Sequence, residues 1–165
     1  MSKIKKIKMK IITFYLVAFM TSCSFAQSIK PHTIGIVVND IEKSTKWYED
    51  VLELKLYKEI SFPEYDSLKI NFLKGNEFQF ELMEKKTSFT IQKYVPGYNL
   101  NDKPLLGFSK VAFRVAKIEQ LYDRLKKKNV TEVLGITEDK EFVSRYFIIK
   151  DLDGNILQFI QPKAD

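Results

Sequence analysis

Ile34-Gly35-Ile36-Val37-Val38-Asn39-Asp40-Ile41-Glu42 and Val111-Ala112-Phe113-Arg114-Val115-Ala116-Lys117-Ile118-Glu119 carry one pattern twice, 77 residues apart. Each is a short apolar run that stops after a valine and restarts on Ile-Glu, as a strand does when it turns into a helix. The offset holds for Val38/Val115, Ile41/Ile118 and Glu42/Glu119, and again for Phe80-Glu81-Leu82-Met83 against Leu157-Gln158-Phe159-Ile160. Self-similarity at a fixed spacing marks one structural unit present twice. Equivalent positions of the two units are therefore the first place to look for a site.

Working outward, the first unit reads strand, helix, three strands. Thr33 to Val38 is the opening strand. Asp40 is placed to cap a helix to about Glu53, with Ile41, Thr45, Tyr48 and Leu52 on one face. Leu54 to Phe62, Leu68 to Lys74 and Phe78 to Glu84 follow as strands, separated by Pro63 and Gly75-Asn76. The second unit repeats this with Lys110 to Val115, a helix from Ile118 to Lys128, then Val130 to Thr137, Phe142 to Lys150 and Ile156 to Gln161, with Asp153-Gly154 in the last hairpin. Residues 85–107 join the units without a clear pattern. A connection this long is usually functional, and it is read as a flap over what the sheets enclose.

The N-terminus belongs to neither unit. Lys3, Lys5, Lys6, Lys8 and Lys10 precede an apolar run from Ile11 to Met20, and small residues follow. That order describes an export signal, and an apolar run half the ~20 residues a bilayer needs is too short for a span. Residues 1–26 are thus expected to be the signal. Phe19-Met20-Thr21-Ser22-Cys23 resembles a bacterial lipobox, with cleavage before a lipidated Cys23. Ser24-Phe25-Ala26 resembles an ordinary cleavage site, with Gln27 as the mature end. The lipobox is slightly preferred, which makes the chain an exported protein held at a membrane rather than a soluble secreted one. Residues 27–165 then form a single domain of modules 32–84 and 108–162, with linker 85–107.

Removing the signal takes five lysines and no acid from a chain of net charge +6, leaving +1. The basicity is therefore no argument for nucleic acid, which needs clustered charge on the mature surface. Lys126-Lys127-Lys128 falls at a helix end, where cations favour the negative pole of the macrodipole. Cys23 is the one cysteine, so no internal disulfide exists. Cys-His and Ser-His-Asp constellations are also absent, as are phosphate-loop and dinucleotide fingerprints.

These residues resemble the vicinal oxygen chelate superfamily, the glyoxalase, bleomycin-resistance and extradiol-dioxygenase group, over nearly all of Thr33 to Gln161. Its unit is a βαβββ module, and the resemblance implies an α+β fold of two such modules forming a cupped mixed sheet. Ile34 to Ile41 is similar to its opening strand. Trp47-Tyr48-Glu49-Asp50-Val51-Leu52 looks like its Phe-Tyr…Val-Leu-Gly helix, with Glu53 where Gly is usual. Asp151-Leu152-Asp153-Gly154-Asn155 resembles its closing Asp-Pro-Asp-Gly-Asn, with Leu152 replacing Pro. An EF-hand reading of that run fails, because the loop needs its Gly at position six rather than four. Trp47 and Tyr48 are read as helix-to-sheet core rather than as a stacking platform.

Metal-using members of the family place four side chains at the base of the cup, where a divalent ion acts as a Lewis acid. The family's histidine stands seven residues before the capping Asp, which is Thr33 here. His32 is eight before, and one step along a strand moves a side chain to the opposite face. The four positions read Thr33, Glu81, Lys110 and Gln158, of which only Glu81 is a good ligand. Lys110 is expected to pair with Glu81 in place of a metal, and Arg114 to add a second cation to the same row. The expected ligand-binding set is thus Thr33, Glu81, Lys110, Arg114 and Gln158, with no cofactor. The cup would take a small polar or anionic molecule. The alternative reading is a metal-dependent lyase, isomerase or dioxygenase using a divalent ion on His32, Glu81 and Gln158. A third is a protein-interaction module, and a homodimer is compatible with each.

Overall fold

The structure is a computed structural model and describes residues 31–99 and 105–163. Residues 1–26, expected to be an export signal, lie outside the described residues with Cys23, as does the linker stretch 100–104. The first module runs β1 (Thr33–Val37), α1 (Ile41–Leu52), β2 (Lys55–Phe62), β3 (Leu68–Lys74) and β4 (Gln79–Glu84). The second runs β5 (Val111–Arg114), α2 (Ile118–Lys126), β6 (Thr131–Asp139), β7 (Ser144–Lys150) and β8 (Ile156–Pro162). Each forms a four-stranded mixed sheet, ordered β1-β4-β3-β2 and β5-β8-β7-β6. The first and last strands of each module pair in parallel, and the remaining pairs are antiparallel. Two βαβββ modules are the observed architecture.

The repeat extends to individual hydrogen bonds. The Ile41 N–H donates to Glu84 Oε2 at 2.7 Å, and the Ile118 N–H donates to Gln161 Oε1 at 2.8 Å. Both pairs are 77 residues apart, so in each module the last strand supplies an acceptor for the first turn of the helix. That turn has four N–H groups with no partner inside the helix. Asp40 adds a side-chain cap to α1 by accepting from Lys43 N–H at 3.0 Å. Lys117 precedes α2 and makes no side-chain cap, so Gln161 matters more there.

The offset is 76, however, for the middle strands. Leu56↔Leu73 in β2/β3 answers to Glu132↔Ile149 in β6/β7, and the β-bulge between Leu56 and Lys58 recurs between Glu132 and Leu134. Left-handed residues follow the same offset: Glu53 and Asn129 (φ 56° and 54°), and Ser67 and Val143 (φ 55° and 47°). The connection after the second helix is one residue shorter, and the β7–β8 hairpin is one residue longer. Strand β7 also starts at Ser144 rather than Phe142, because Asp139 Oδ1 accepts from the N–H groups of Glu141 and Phe142 at 3.1 Å and holds them in a turn.

One face of each sheet is buried under its helix. Ile36, Val38, Leu73, Phe80 and Leu82 in the first module, and Phe147, Ile149, Leu157 and Phe159 in the second, are almost fully buried. An aromatic chain joins the two, from Phe80 to Phe113 (6.2 Å between ring centroids), Phe113 to Phe159 (5.5 Å) and Phe159 to Phe147 (4.8 Å). The modules thus share a core. Tyr48 packs on Phe80 and Trp47 meets Tyr48 edge-on, each at 5.0 Å, as core residues do.

Specific polar contacts join the modules among the described residues. The Tyr48 hydroxyl donates to Asp151 Oδ2 at 2.7 Å, uniting two motif fragments 103 residues apart. Asp151 is buried and also accepts from the N–H groups of Asp153 (3.0 Å) and Asn155 (2.7 Å) and from the Asn155 side-chain amide (2.8 Å). A buried carboxylate with this many donors needs no cation. Burial and the adjacent Asp151 carboxylate push the Tyr48 hydroxyl's pKa well above its ordinary value. The first Asp of the closing motif is therefore a structural clasp. Arg124 of α2 adds an ion pair to Glu53 at 2.7 Å.

Candidate functional site

The unburied sheet face carries the candidate residues, and strand alternation decides who reaches it. In β1, Ile34, Ile36 and Val38 turn toward the helix, which leaves Thr33, Gly35 and Val37 on the other face. His32 lies just before β1 and is exposed. In β4, the buried Phe80 and Leu82 leave Gln79, Glu81 and Met83 on the face of Thr33. In the second module Ala112 and Arg114 lie with Gln158 and Ile160 on the corresponding face of its own sheet.

Register then sets the neighbours. Glu81 stands between Gly35 of β1 and Phe72 of β3, and Lys58 of β2 follows Phe72, giving the row Gly35, Glu81, Phe72, Lys58. Gln158 stands between Ala112 of β5 and Ile148 of β7, and Leu134 of β6 completes the row Ala112, Gln158, Ile148, Leu134. The two polar residues thus hold equivalent central positions, each beside a small residue on the first strand of its module. Thr33 belongs to the preceding pair with Gln79.

Lys110 is not where the sequence reading placed it. It precedes β5, is exposed, and forms no ion pair with Glu81. The parallel register is the reason. Glu81 and Gln158 are matched by Gly35 and Ala112, two residues beyond Thr33 and its counterpart Lys110, and β5 begins only at Val111. Glu81 therefore has no hydrogen-bond or ion-pair partner among the described residues. Gln158 is 7% exposed, and its Oε1 is buried without a hydrogen-bond partner among the described residues. Arg114 is exposed on the same face.

Sequence reasoning missed Lys58. Strict alternation puts it on the face of Leu56, which packs on the core. The bulge between Leu56 and Lys58 inserts one residue and turns Lys58 to the open face, a shift that no residue pattern announces. Its ammonium lies over the Phe72 ring, 6.0 Å from the centroid, which is cation–π range. The open face of the first sheet thus carries Glu81 with Lys58 as its cation, and that of the second carries Gln158 with Arg114 as its cation.

A divalent ion does not fit this donor set. Gly35 and Ala112 give no ligand beside Glu81 and Gln158, and Glu81 is the one carboxylate in the two rows. Among the described residues no three His, Cys, Asp or Glu side chains gather as a metal site would require. The linker contributes residues 88–92, 98–99 and Leu105 to a cleft at the end of β1 that includes the cup-facing Val37 and none of the five expected binding residues.

The family profile for the Glyoxalase/Bleomycin resistance protein/Dioxygenase superfamily matches residues 30–159. Among solved structures, the glyoxalase family protein of Enterococcus faecalis is similar over 82% of this chain and 98% of its own, at 20% identity and a TM-score of 0.67. A mutant of glyoxalase I from Zea mays is similar over 81% of this chain at 21% identity and a TM-score of 0.62, and the match covers 45% of the maize chain. The fosfomycin resistance protein FosX of Listeria monocytogenes gives 82% and 93% coverage, 13% identity and a TM-score of 0.59. At these identities the structures speak to fold alone. No curated protein sequence matches. With the profile spanning most of the two-module domain, the chain belongs to the Glyoxalase/Bleomycin resistance protein/Dioxygenase superfamily.

Proposed function

We propose that the chain is an exported binding protein whose open sheet face takes a small polar molecule without a metal. The observation that carries this reading is the buried, unpartnered Gln158 Oε1 in the row equivalent to that of the unpaired Glu81. A buried acceptor left empty costs roughly 1–3 kcal/mol, so a ligand hydroxyl, amine or amide that donates to it recovers that energy. Lys58 offsets Glu81 on the first sheet, and Arg114 on the second suits a ligand that also bears an anionic group. Polarising a substrate oxygen calls for a Lewis acid or strong donors, and neither Glu81 nor Gln158 is one, so binding rather than turnover is the reading the residues support. Export rests on residues 1–26, and lipid on Cys23 would hold the mature domain at a membrane surface.

Protein purified after export should carry no stoichiometric Zn, Mn, Fe or Ni, and chelator should leave its melting temperature unchanged. Native mass spectrometry of the same protein should detect a bound small molecule that Gln158→Leu and Glu81→Gln each weaken. One metal per chain that disappears with Glu81→Ala would overturn the proposal. Incorporation of labelled fatty acid, abolished by Cys23→Ala, would establish the anchor; a mature end at Gln27 would refute it.

A further inference from the structure

A cleft of about 450 Å³ lies where the end of β1, the β7–β8 hairpin and the linker meet. Small-molecule sites commonly enclose roughly 300–1,000 Å³, so the volume is sufficient for one. Its lining comes from Val37 to Asn39, from the linker (Ser88 to Gln92, Tyr98, Asn99 and Leu105), and from Lys150 with Asp153 to Asn155. The Asn39 N–H donates to both carboxylate oxygens of Asp153 at 3.3 Å, which ties the first stretch to the third.

Lys150 is the basic residue in the lining. It is half-buried, and its ammonium has no hydrogen bond or ion pair among the described residues. Asp153 lines the same cleft, but its carboxylate accepts from the Asn39 N–H and forms no ion pair with Lys150. Around this cation the wall is mixed, with Phe89, Ile91 and Val37 apolar and Asn39 and Gln92 neutral and polar. The Phe89 ring is braced edge-on by Tyr94 at 4.8 Å. One ammonium without an ion pair, beside an Asp153 already engaged by Asn39, offers a single charge-assisted contact and so suits a single negative charge. A dianionic phosphate would call for more donors, usually including an arginine fork.

We propose that this cleft, at the end of β1 and apart from the Glu81 and Gln158 rows, is a second ligand site for a small monocarboxylate with an apolar body. The carboxylate pairs with Lys150, and the body lies against Phe89 and Ile91. A charge-assisted hydrogen bond in a half-buried setting gives the acid its advantage over a neutral analogue of the same shape.

Titration calorimetry of the mature chain with 3-phenylpropanoate and 3-phenylpropanamide tests this. The acid should bind saturably at millimolar concentration, and the amide roughly tenfold or more weaker. Lys150→Met should weaken the acid by a similar factor without changing the amide, and Lys150→Arg should keep most of the affinity. Amide resonances of Asn39, Phe89 and Asn155 should shift on addition of the acid, and those flanking Glu81 and Gln158 should stay. If Lys150→Met does not fold, the acid-to-amide ratio and the shift map still decide. No binding by the acid, equal binding of acid and amide, or shifts confined to the residues flanking Glu81 and Gln158 would each overturn the proposal.

Discussion

Two single residues sit in backbone conformations their side chains resist. Glu53 and Val143 have φ of 56° and 47°, and their counterparts in the other module are Asn129 and Ser67. The left-handed region costs an L residue about 1–2 kcal/mol, and asparagine tolerates it better than most. Glu53 recovers part of its cost through Arg124, but its side chain is 71% exposed, and exposed pairs contribute roughly 0–1 kcal/mol. Val143 is β-branched, 57% exposed and has no such compensation. Val143→Gly should therefore raise stability by about 1 kcal/mol, and Glu53→Gly by less, as read by urea denaturation. A loss of stability in Val143→Gly would mean the strain is not there. Residue-level legibility was uneven. Glu53 in a glycine position was visible as a departure from the motif, and the structure supplies its reason. Nothing in Phe142-Val143 signals a left-handed valine, because the turn is made by Asp139 beside it.

At the scale of elements, the helix starts are the test. Glu84 and Gln161 each satisfy the first N–H of a helix from the end of a distant strand, and losing such a cap costs about 1 kcal/mol. Glu84 also places negative charge at the positive end of α1, which adds roughly 0.3–1 kcal/mol. Asp40 caps α1 independently, whereas α2 has no side-chain cap of its own. Gln161→Ala should therefore reduce helical amide protection across α2 selectively, while Glu84→Ala should lower global stability and leave α1 protected. Hydrogen exchange read residue by residue distinguishes these, and equal loss of protection in both helices would contradict the argument. Element type and order were legible because strand and helix periods alternate cleanly along Ile34 to Glu42 and Val111 to Glu119. The bulge before Lys58 was not, since a bulge is chosen by twist and pairing partners rather than by local residue type.

Across the whole molecule, the Tyr48–Asp151 hydrogen bond joins the halves through a buried carboxylate. Tyr48→Phe keeps the ring on Phe80 and removes only the donor, so it should cost about 1.5–3 kcal/mol, the range for bonds to a charged acceptor. The denaturation slope should be unchanged, because the same surface is still buried. A variant as stable as the parent would show that the two motifs meet without consequence. The two-module fold was readable from the repeat and from these same motifs. The charge arrangement of the open face was not. A repeat says which positions of the two halves are equivalent, but not which residues of neighbouring strands stand abreast. A stagger of two residues between β5 and β8 leaves Gln158 beside Ala112 and Lys110 outside the strand.

The twin hydrogen bonds from Glu84 and Gln161 have one more consequence, for the folding chain. Each lock can be closed by either acceptor, so β1 with its helix start can be met by β8 as well as by β4, and a collapsing chain has two partners of similar fit. Repeat proteins misassemble by such exchanges. The slip to a 76-residue offset does not break that degeneracy, because the longer β7–β8 hairpin absorbs it in its loop and Ile149 stands opposite Leu157 as Leu73 stands opposite Phe80. Chain order is what favours the right partner: β4 returns from β3 through a short hairpin, whereas β8 lies a whole repeat further along, and closing the longer loop costs more entropy.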